Sequence, residues 1–390
     1  MFFGPFCYNN LNLIFFRCLT GEDREVMEKH AAEQAVILIP SLEPDERLPA
    51  YIQRLKEGGF AHIVVVDDGS PEAYQPIFKQ VESVRDTVVL HHEVNKGKGI
   101  ALKTGYRYIM ENLPEISGVI TADADGQHAV KDCLHLADEL AKGTRALYLG
   151  SRDFNAANVP PKSKSGNKIT SVIFKLLYGQ YLPDTQTGLR AFRKEELPFM
   201  AEVEGERFEY EMKVLIACSR ARIPMIPVTI ETIYENANEG THFHPIRDSW
   251  RIYKVIFGSF FKFMASSLSC WAIDQGLFNL LNRVIFDNAN DANKQLIFAS
   301  KAIARVISAT INFLLNRHLV FGKNGNAGKS FLRYVILCIA IMLLSAGGTM
   351  LLSTIGISST LASMVMDALL YFLSYNVQER WVFKGEAADE

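Results

Sequence analysis

Apolar and polar positions follow different rhythms in the two parts of this chain. Up to about Arg251, short apolar runs alternate with charged stretches of helical spacing. AVILIP (Ala35–Pro40) is a continuous apolar run closed by proline, which predicts a buried parallel strand. EPDERLPAYIQRLKEGG follows with helical spacing and a glycine stop. HIVVVDDGS and TVVLHHEV predict two more strands, and NKGKGIALKTGYRYIMENL a loop opening into a helix. GVITADADGQH and ALYLGSRD predict further strands that end in polar residues. Strands alternating with helices predict an α/β unit on a mostly parallel, Rossmann-like sheet.

From Phe260 onward, long apolar stretches dominate and acids become scarce. Crossing a bilayer takes ~20 residues of helix. Phe261–Leu281, Leu296–Asn316, Phe331–Leu352 and Ser359–Val377 each meet that length and are joined by short polar links. They predict an all-α, polytopic membrane unit of four helices. At the other end, MFFGPFCYNNLNLIFF has no basic residue before Arg17, and Asn9, Asn10 and Asn12 interrupt its apolar run. It makes a poor signal peptide. The expected organisation is an N-terminal extension (1–33), an α/β unit (34–251), a juxtamembrane linker (252–260), a membrane unit (261–384) and a short tail (385–390).

Composition changes this picture little. With 48% hydrophobic and 22% charged residues the chain is not disordered, and a formal charge of −2 gives no sign of nucleic-acid binding. Six dispersed cysteines without a C-x-x-C pair argue against a disulfide framework or zinc site, and for reduced thiols facing the cytoplasm.

The candidate chemistry lies at strand ends. Asp67, Asp68, Asp123, Asp125, Ser151 and Arg152 all end strands at what would be one sheet edge. Open α/β sheets bind ligands at that edge. Taken alone, VVVDDGS favours the plainer reading of a strand closed by an Asx turn. Asp123 and Asp125, one residue apart, suit a hard divalent cation such as magnesium or manganese. Such a site stabilises charge growing on a departing diphosphate.

VVVDDGS, NKGKGIALKTGY, TADADGQH, GSRDF and DTQTGLRAF occur in an order and spacing that resemble family 2 glycosyltransferases of the GT-A fold. The chain is similar to the group of dolichol-phosphate mannosyltransferase and bacterial polyprenyl-phosphate glycosyltransferases, over roughly Gln34 to Arg251. The resemblance implies that Asp67 and Asp68 hold the base and ribose of a nucleotide-sugar, with Pro40 against the nucleotide. It implies Asp123 and Asp125 as metal and diphosphate aspartates for Mg2+ or Mn2+, with Gln127 beside the metal. Arg152 then serves the phosphates, where a planar donor fork suits an oxyanion. Lys96 and Lys98 reach the same charge, and Asp184 lies near the reaction centre. Asp125, Arg152 and Asp184 are thus the expected catalytic residues. The chain departs from the family at SLEPDE, where Glu43 takes an asparagine position and Pro44 a glutamate position. That removes one clue to the base.

A sugar hydroxyl acceptor needs a general base. A lipid phosphate, with a second pKa of ~6, is already anionic and needs cations to dock it. GTHFHPIRDSWRIYK offers His242, His244, Arg247, Arg251 and Lys254, although it reads equally as an ordinary basic juxtamembrane stretch. Two other motifs are rejected. GKNGNAGKS has five residues between Gly322 and Gly328, where a P-loop has four. QERW is one residue short of a processive-synthase signature and follows the last membrane helix.

The membrane part repeats itself. NRHLVFGK follows the second helix and QERWVFKG the fourth, while FFKFM opens the first and SFLRYV the third. This two-plus-two pattern with INFLLNRHLVF resembles the GtrA-like family over roughly Lys262 to Lys384. That resemblance implies a part in moving prenyl-phosphate-linked sugars across the bilayer. Arg317, Lys323, Lys329 and Arg333 cluster after the second helix, whereas Asp287 and Asp291 follow the first. The positive-inside rule then places the α/β unit and the C-terminus in the cytoplasm, at a cytoplasmic (inner) membrane crossed several times. Ionisable residues inside such helices are costly. Asp274 with Lys301, and Arg305 with Asp367, are expected to pair, unless the cations snorkel to the interface.

The sequence thus leads to a metal-dependent, inverting transferase that moves a sugar from a UDP- or GDP-linked donor to polyprenyl phosphate for envelope glycan or glycolipid synthesis. Transfer to a lipid or glycan hydroxyl, and a transport or scaffold protein with an inactive transferase domain, are the alternatives. The lipid bilayer is a partner, nucleic acid is not, and a homo-oligomer is left open.

Overall fold

The structure is a computed structural model of the 390-residue chain and describes residues 29–154, 161–231, 245–286, 293–321 and 326–383. The extension before residue 29, His242, His244, Asp287, Asp291, Lys323 and the tail lie outside the described residues, as does the side chain of Arg247. The chain forms two compact units, the first ending at Ile252 and the second beginning at Tyr253.

In the first unit, strands and helices alternate: β1 (Ala35–Ser41), α1 (Arg47–Glu57), β2 (His62–Asp67), α2 (Gln75–Glu82), β3 (Thr87–His91), α3 (Lys98–Asn112) and β4 (Gly118–Thr121). Then come α4 (Val130–Ala141), β5 (Leu147–Arg152), α5 (Pro161–Tyr178), β6 (Arg190–Arg193), α6 (Leu197–Glu202), α7 (Glu209–Ala221) and β7 (Met225–Ile230). The seven strands order as β3-β2-β1-β4-β6-β5-β7, and all pairs are parallel except those of β6. This is the mostly parallel α/β sheet the periodicity predicts. Val36, Ile37, Leu38 and Ile39 of β1 are fully buried, so both faces are covered, which explains an apolar run without alternation. Helix α1 turns Leu48, Tyr51, Ile52 and Leu55 onto one face of the sheet. The antiparallel β6 was not apparent in the sequence. It is four residues long, and its partners fix it rather than its own pattern.

The order reverses beside β1, with β2 on one side and β4 on the other. A crevice opens at the carboxyl ends on either side of such a switch point. Ser41 of β1 is level with Asp67 of β2, and the loop after β4 carries Asp123 and Asp125 to the same edge. Since β4 and β5 both oppose β6, Arg152 at the end of β5 also lies at this edge.

Helix α8 (Pro245–Ile256), which carries Arg251 and Lys254, runs across the boundary between the units. The second unit contains α9 (Gly258–Asn279), α10 (Lys294–Leu315), α11 (Ala327–Thr354) and α12 (Ser359–Val377). π-helical turns extend α9 over Leu280–Ile285, α10 over Asn316–Val320 and α12 over Gln378–Val382. Asn293, Asn326 and Ser358 cap the starts of α10, α11 and α12 with their side-chain oxygens. Among the described residues three helices, Lys294–Val320, Ala327–Thr354 and Ser359–Val382, are long and apolar enough to cross a membrane. A fourth crossing is formed if Trp250–Ile256 and Gly258–Ile285 act together across the bend that separates them.

The repeat in the sequence is a repeat in space. An offset of 62 residues carries Phe313 onto Tyr375, Asn316 onto Gln378 and Phe321 onto Phe383; an offset of 71 carries Phe260 onto Phe331 and Phe263 onto Tyr334. The ring contacts obey both. Phe260 lies 5.3 Å from Tyr375, and Phe331 lies 5.1 Å from Phe313. Phe263 to Tyr375 and Tyr334 to Phe313 are both 5.5 Å. At the pseudo-two-fold axis the mates meet each other. The Asn316 amide donates to Gln378 Oε1 at 3.0 Å with both residues buried, and Phe321 stacks on Phe383 at 5.2 Å. Helix α9 therefore touches α10 and α12, α11 touches the same two, and α10 and α12 occupy diagonal corners.

Lys301 donates to Asp274 at 2.7 Å, as the shared depth of the two residues predicts. The second expected pair is not formed. Arg305 also turns to Asp274, at 3.5 Å, while Asp367 accepts from Ser345 at 3.0 Å and Ser363 at 3.4 Å. Lys301 and Arg305 are four residues apart and so share one face of α10, which looks toward α9. Asp367 stands on the diagonal helix.

Candidate active site

Two adjacent acids end β2, and two adjacent histidines end β3 beside them. Asp67 is level with His91 in the parallel register, so the pairs face each other in order. Asp67 accepts the Ser70 N–H at 2.8 Å and the Gln75 amide at 3.1 Å, and contacts His91 Nδ1 at 2.9 Å. Asp68 contacts His92 Nδ1 at 2.9 Å and accepts the N–H groups of Lys96 at 3.0 Å and Gly97 at 2.7 Å. Both residues are buried. Asp67 thus closes the turn after β2, the Asx arrangement open in the sequence, and Asp68 ties down the loop bearing Lys96 and Lys98. Burial acts to raise the Asp67 pKa, but the bonds from Ser70, His91 and Gln75 outweigh it and hold the carboxyl below the ordinary range.

The β1 loop is tied to the same place. Glu43 donates its N–H to Ser70 Oγ at 2.9 Å and holds a left-handed backbone (φ 51°), uncommon for a residue with a side chain. Pro40 is level with Val66 of β2, one position before this corner. Among the described residues, the buried Ser41 hydroxyl beside it has no hydrogen-bond partner.

The second cluster surrounds Asp123. Lys98, the first residue of α3, donates to Asp123 at 2.7 Å and to Glu211 of α7 at 2.9 Å. His128 Nε2 lies 3.3 Å from the other Asp123 oxygen. Burial acts to raise the Asp123 pKa, but the charges and hydrogen bonds of Lys98 and His128 outweigh it and keep the carboxylate ionised far below its ordinary range. Burial, and then the charge of Asp123, push the Asp125 carboxyl up. Asp125 accepts the backbone N–H of Gln127 at 3.1 Å. Gly188 is pressed against Asp123, where a Cβ would lie only 2.4 Å from a carboxylate oxygen. No larger residue fits there without moving the acid.

This arrangement suits a hard divalent cation. Two carboxylates and an amide-bearing residue give an all-oxygen donor set, and added positive charge would relieve the repulsion between Asp123 and Asp125. Among the described residues no group of three His, Cys, Asp or Glu side chains is placed to hold a metal. Mg2+ characteristically takes one or two carboxylates and completes its shell with substrate phosphates and water.

The third cluster is Arg152. Its fork donates to both oxygens of Asp184, at 2.7 and 3.1 Å, and its guanidinium lies 5.1 Å from the centre of the Phe154 ring. The Asp184 side chain is fully buried and also accepts the Gln186 N–H at 3.0 Å. Asp184 therefore orients Arg152. The sequence reading overlooked His91, His92, Glu211 and Gly188. The histidines stand in HHEV at a strand end and the glycine inside DTQTGLR, so three of the four left a local signal. Glu211 left none.

Two family models match this chain: glycosyl transferase family 2 over residues 36–197, and GtrA/DPMS, transmembrane domain, over residues 262–383. It is 31% identical over 215 residues to the UDP-N-acetylglucosamine–dolichyl-phosphate N-acetylglucosaminyltransferase of Methanococcus voltae, covering 51% of this chain and 85% of that one. It is 28% identical over 183 residues to the polyprenol monophosphomannose synthase of Mycolicibacterium smegmatis, covering 45% of this chain and 67% of that one. Among solved structures, glucosyl-3-phosphoglycerate synthase from Mycobacterium tuberculosis, with Mn2+, uridine diphosphate and glucosyl-3-phosphoglycerate, superposes with a TM-score of 0.44 at 14% identity, covering 62% of this chain and 84% of that one. The α/β unit is the family 2 transferase domain that its motifs imply. The chain is a glycosyltransferase of family 2 that carries a GtrA/DPMS transmembrane domain behind its catalytic unit.

Proposed function

We propose that this multi-pass membrane enzyme transfers a sugar from a UDP- or GDP-linked donor to a polyprenyl phosphate. The observation that carries this reading is the Asp123–Asp125 pair, with Lys98, His128 and Gly188 packed around Asp123, at the sheet's switch point. Two relatives named for dolichyl- or polyprenol-linked transfer support the acceptor class.

The roles follow from the geometry. Asp67 and Asp68 shape the nucleoside end by fixing the two loops that flank it, and the Ser41 hydroxyl is available there for a hydrogen bond. Asp123 and Asp125, with Gln127 beside them, would hold Mg2+ or Mn2+. When bound, that ion supplies positive charge for the diphosphate leaving group. Arg152, aimed by Asp184, supplies guanidinium charge for phosphate oxygens. A phosphate acceptor arrives ionised, so no base has to remove its proton, and direct displacement inverts the anomeric centre. Asp184, locked onto Arg152, is committed to positioning.

The membrane domain anchors the enzyme, receives the lipid and helps to translocate the product. The cluster of Arg317, Lys329 and Arg333 supports, by the positive-inside rule, an orientation with that end, the catalytic unit and the C-terminus in the cytoplasm. Arg333 of α11 donates to the Trp381 carbonyl after α12, so both segments belong to one side.

Membranes holding the protein, incubated with labelled nucleotide-sugars, undecaprenyl phosphate and Mg2+ or Mn2+, test this directly. A product extractable into organic solvent, lost with EDTA and in Asp125→Asn, is expected, and it names the donor. Donor binding without lipid product would move the acceptor to a hydroxyl. Lipid product that persists undiminished in EDTA would remove the metal from the scheme.

A further inference from the structure

The four membrane helices carry a charge imbalance that one chain does not resolve. Asp274, 2% exposed, faces two cations: Lys301 at 2.7 Å and Arg305 at 3.5 Å. One positive charge is therefore in excess in the Asp274 cluster, and the Arg305 side chain is 67% exposed. The opposite excess lies at Asp367 on the α11–α12 hairpin. Asp367 is exposed on α12, and its partners are the hydroxyls of Ser345 and Ser363, with no cation within 4 Å among the described residues.

These two residues are mates in the repeat. The 62-residue offset that superposes Asn316 on Gln378 carries Arg305 onto Asp367. Each stands 15 residues before the end of its π-helical turn, at Val320 and Val382. At roughly 1.5 Å per residue that is about 22 Å, which places both at one depth inside a hydrocarbon core of about 30 Å. Arg305 turns to α9 of its own hairpin and Asp367 to α11 of the other, and the two do not pair within the chain.

We propose that a second copy of this chain supplies the missing partner: Arg305 of one copy pairs with Asp367 of the next, side by side in the membrane. Copies inserted with the same orientation present the two charges at equal depth, so the register is set by the repeat itself. Each copy offers a cation on one corner and an acid on the opposite corner. The contact is therefore head-to-tail; it closes into a ring where the rotation between copies divides a full turn, and otherwise continues as a row in the membrane plane. Charge complementarity inside lipid, where an unmatched ion is poorly tolerated, selects this partner. A lipid phosphate would satisfy Arg305 and leave Asp367 unmatched.

The test uses the full chain extracted in native nanodiscs. Asp367→Arg and Arg305→Asp are expressed separately, then together with different affinity tags. Particle mass by mass photometry is expected to fall to one copy in each variant alone. Together, the first variant presents two cations and the second two acids, so they are expected to copurify in mixed particles larger than either variant forms alone. Variants that merely misfold would not rescue each other. As a second readout, Val306→Cys with Ala368→Cys in a Cys338→Ser background should cross-link into a ladder of multiples in membranes, and neither single cysteine should do so. Single-copy wild-type particles, unchanged particle mass in the single reversals, or failure of the mixture to copurify would overturn the proposal. So would loss of a bound anionic phospholipid in Arg305→Gln, by native mass spectrometry, with particle mass unchanged.

Discussion

Gly188 gives the sharpest test of how closely the Asp123 carboxylate must be placed. A Cβ at this position would lie 2.4 Å from one carboxylate oxygen, 2.6 Å from the other and 2.7 Å from their carbon. Non-bonded carbon contacts are favourable at about 3.5–4.0 Å, so Gly188→Ala forces a separation of roughly 1 Å. The backbone is not the part that yields. Thr121 Oγ1 holds the Gly188 carbonyl at 2.8 Å, and Arg190 two residues on is already in β6. The side chain of Asp123 must retreat instead, away from its 2.7 Å contact with Lys98 or its 3.3 Å contact with His128. A misplacement of about 1 Å at a reacting centre lowers rate by about 100-fold, or about 2.7 kcal/mol of transition-state stabilisation. Overpacking a fold costs about 1–3 kcal/mol, and the lower figure is expected because Asp123 is 34% exposed at the crevice and has room to move. Lipid-linked sugar formation should therefore fall far more than thermal stability, and the half-saturating Mg2+ or Mn2+ concentration should rise. Gly166→Ala in α5 is the control. Nothing lies within 4 Å of its added Cβ, so it should leave activity intact and stabilise the helix by at most about 1 kcal/mol. Activity of Gly188→Ala within threefold of wild type at every metal concentration would refute this account of Asp123.

Three further outcomes follow from the geometry. Arg152→Lys should lower kcat/KM by about 10- to 100-fold although charge is kept, because a single ammonium cannot reproduce the bidentate hold on Asp184; Asp184→Asn should act in the same direction, and full activity of both would remove Arg152 from the site. Burial acts against the charged His91, but its bonds to Asp67 and Glu82 outweigh it and raise its pKa, so its stabilisation is complete below the ordinary histidine value of ~6.5 and is lost as pH rises through the raised value. Asp67, held below its ordinary value of ~3.9, contributes above that value and loses its contribution as pH falls through the depressed one. His91→Ala should thus lower the Tm more near pH ~5.5 than near pH ~8.5, and an equal loss at both would count against the pair. In the membrane domain, Asn316→Leu or Gln378→Leu alone should destabilise by about 1–3 kcal/mol, since the first strips Gln378 Oε1 of its donor and the second strips the Asn316 amide of its acceptor, whereas the double replacement should recover most of the loss in SDS unfolding.

How much of the catalytic unit was legible depended on distance along the chain. Strands buried on both faces announce themselves as unbroken apolar runs, and motif acids at their ends fall at one edge because the sheet is parallel. The partners of those acids belong to other strands and helices. That Asp67 and Asp68 face His91 and His92 requires the β2–β3 register, which a sequence pattern fixes only after the pairing is known. Lys98 was legible as a cation near the phosphates. Its attachment to both Asp123 and Glu211 was not, because Glu211 comes from a helix more than a hundred residues later.

The membrane domain shows the same boundary in another form. Depth along a helix can be counted from the sequence, and it rightly brought Asp274 and Lys301 together. Depth alone also suggested Arg305 with Asp367, and there the direction around the helix decided otherwise. The repeat makes these two residues mates, and mates related by an axis along the bundle can touch only where they approach that axis. Asn316 and Gln378 do so at the turns ending α10 and α12, and they bond. Arg305 and Asp367 stand well above those turns on diagonal helices, so the symmetry that matches their depth also keeps them apart. Their charges must be met within their own hairpins or by another copy. Asp274 is shared by two cations, and Asp367 is met by hydroxyls alone among the described residues.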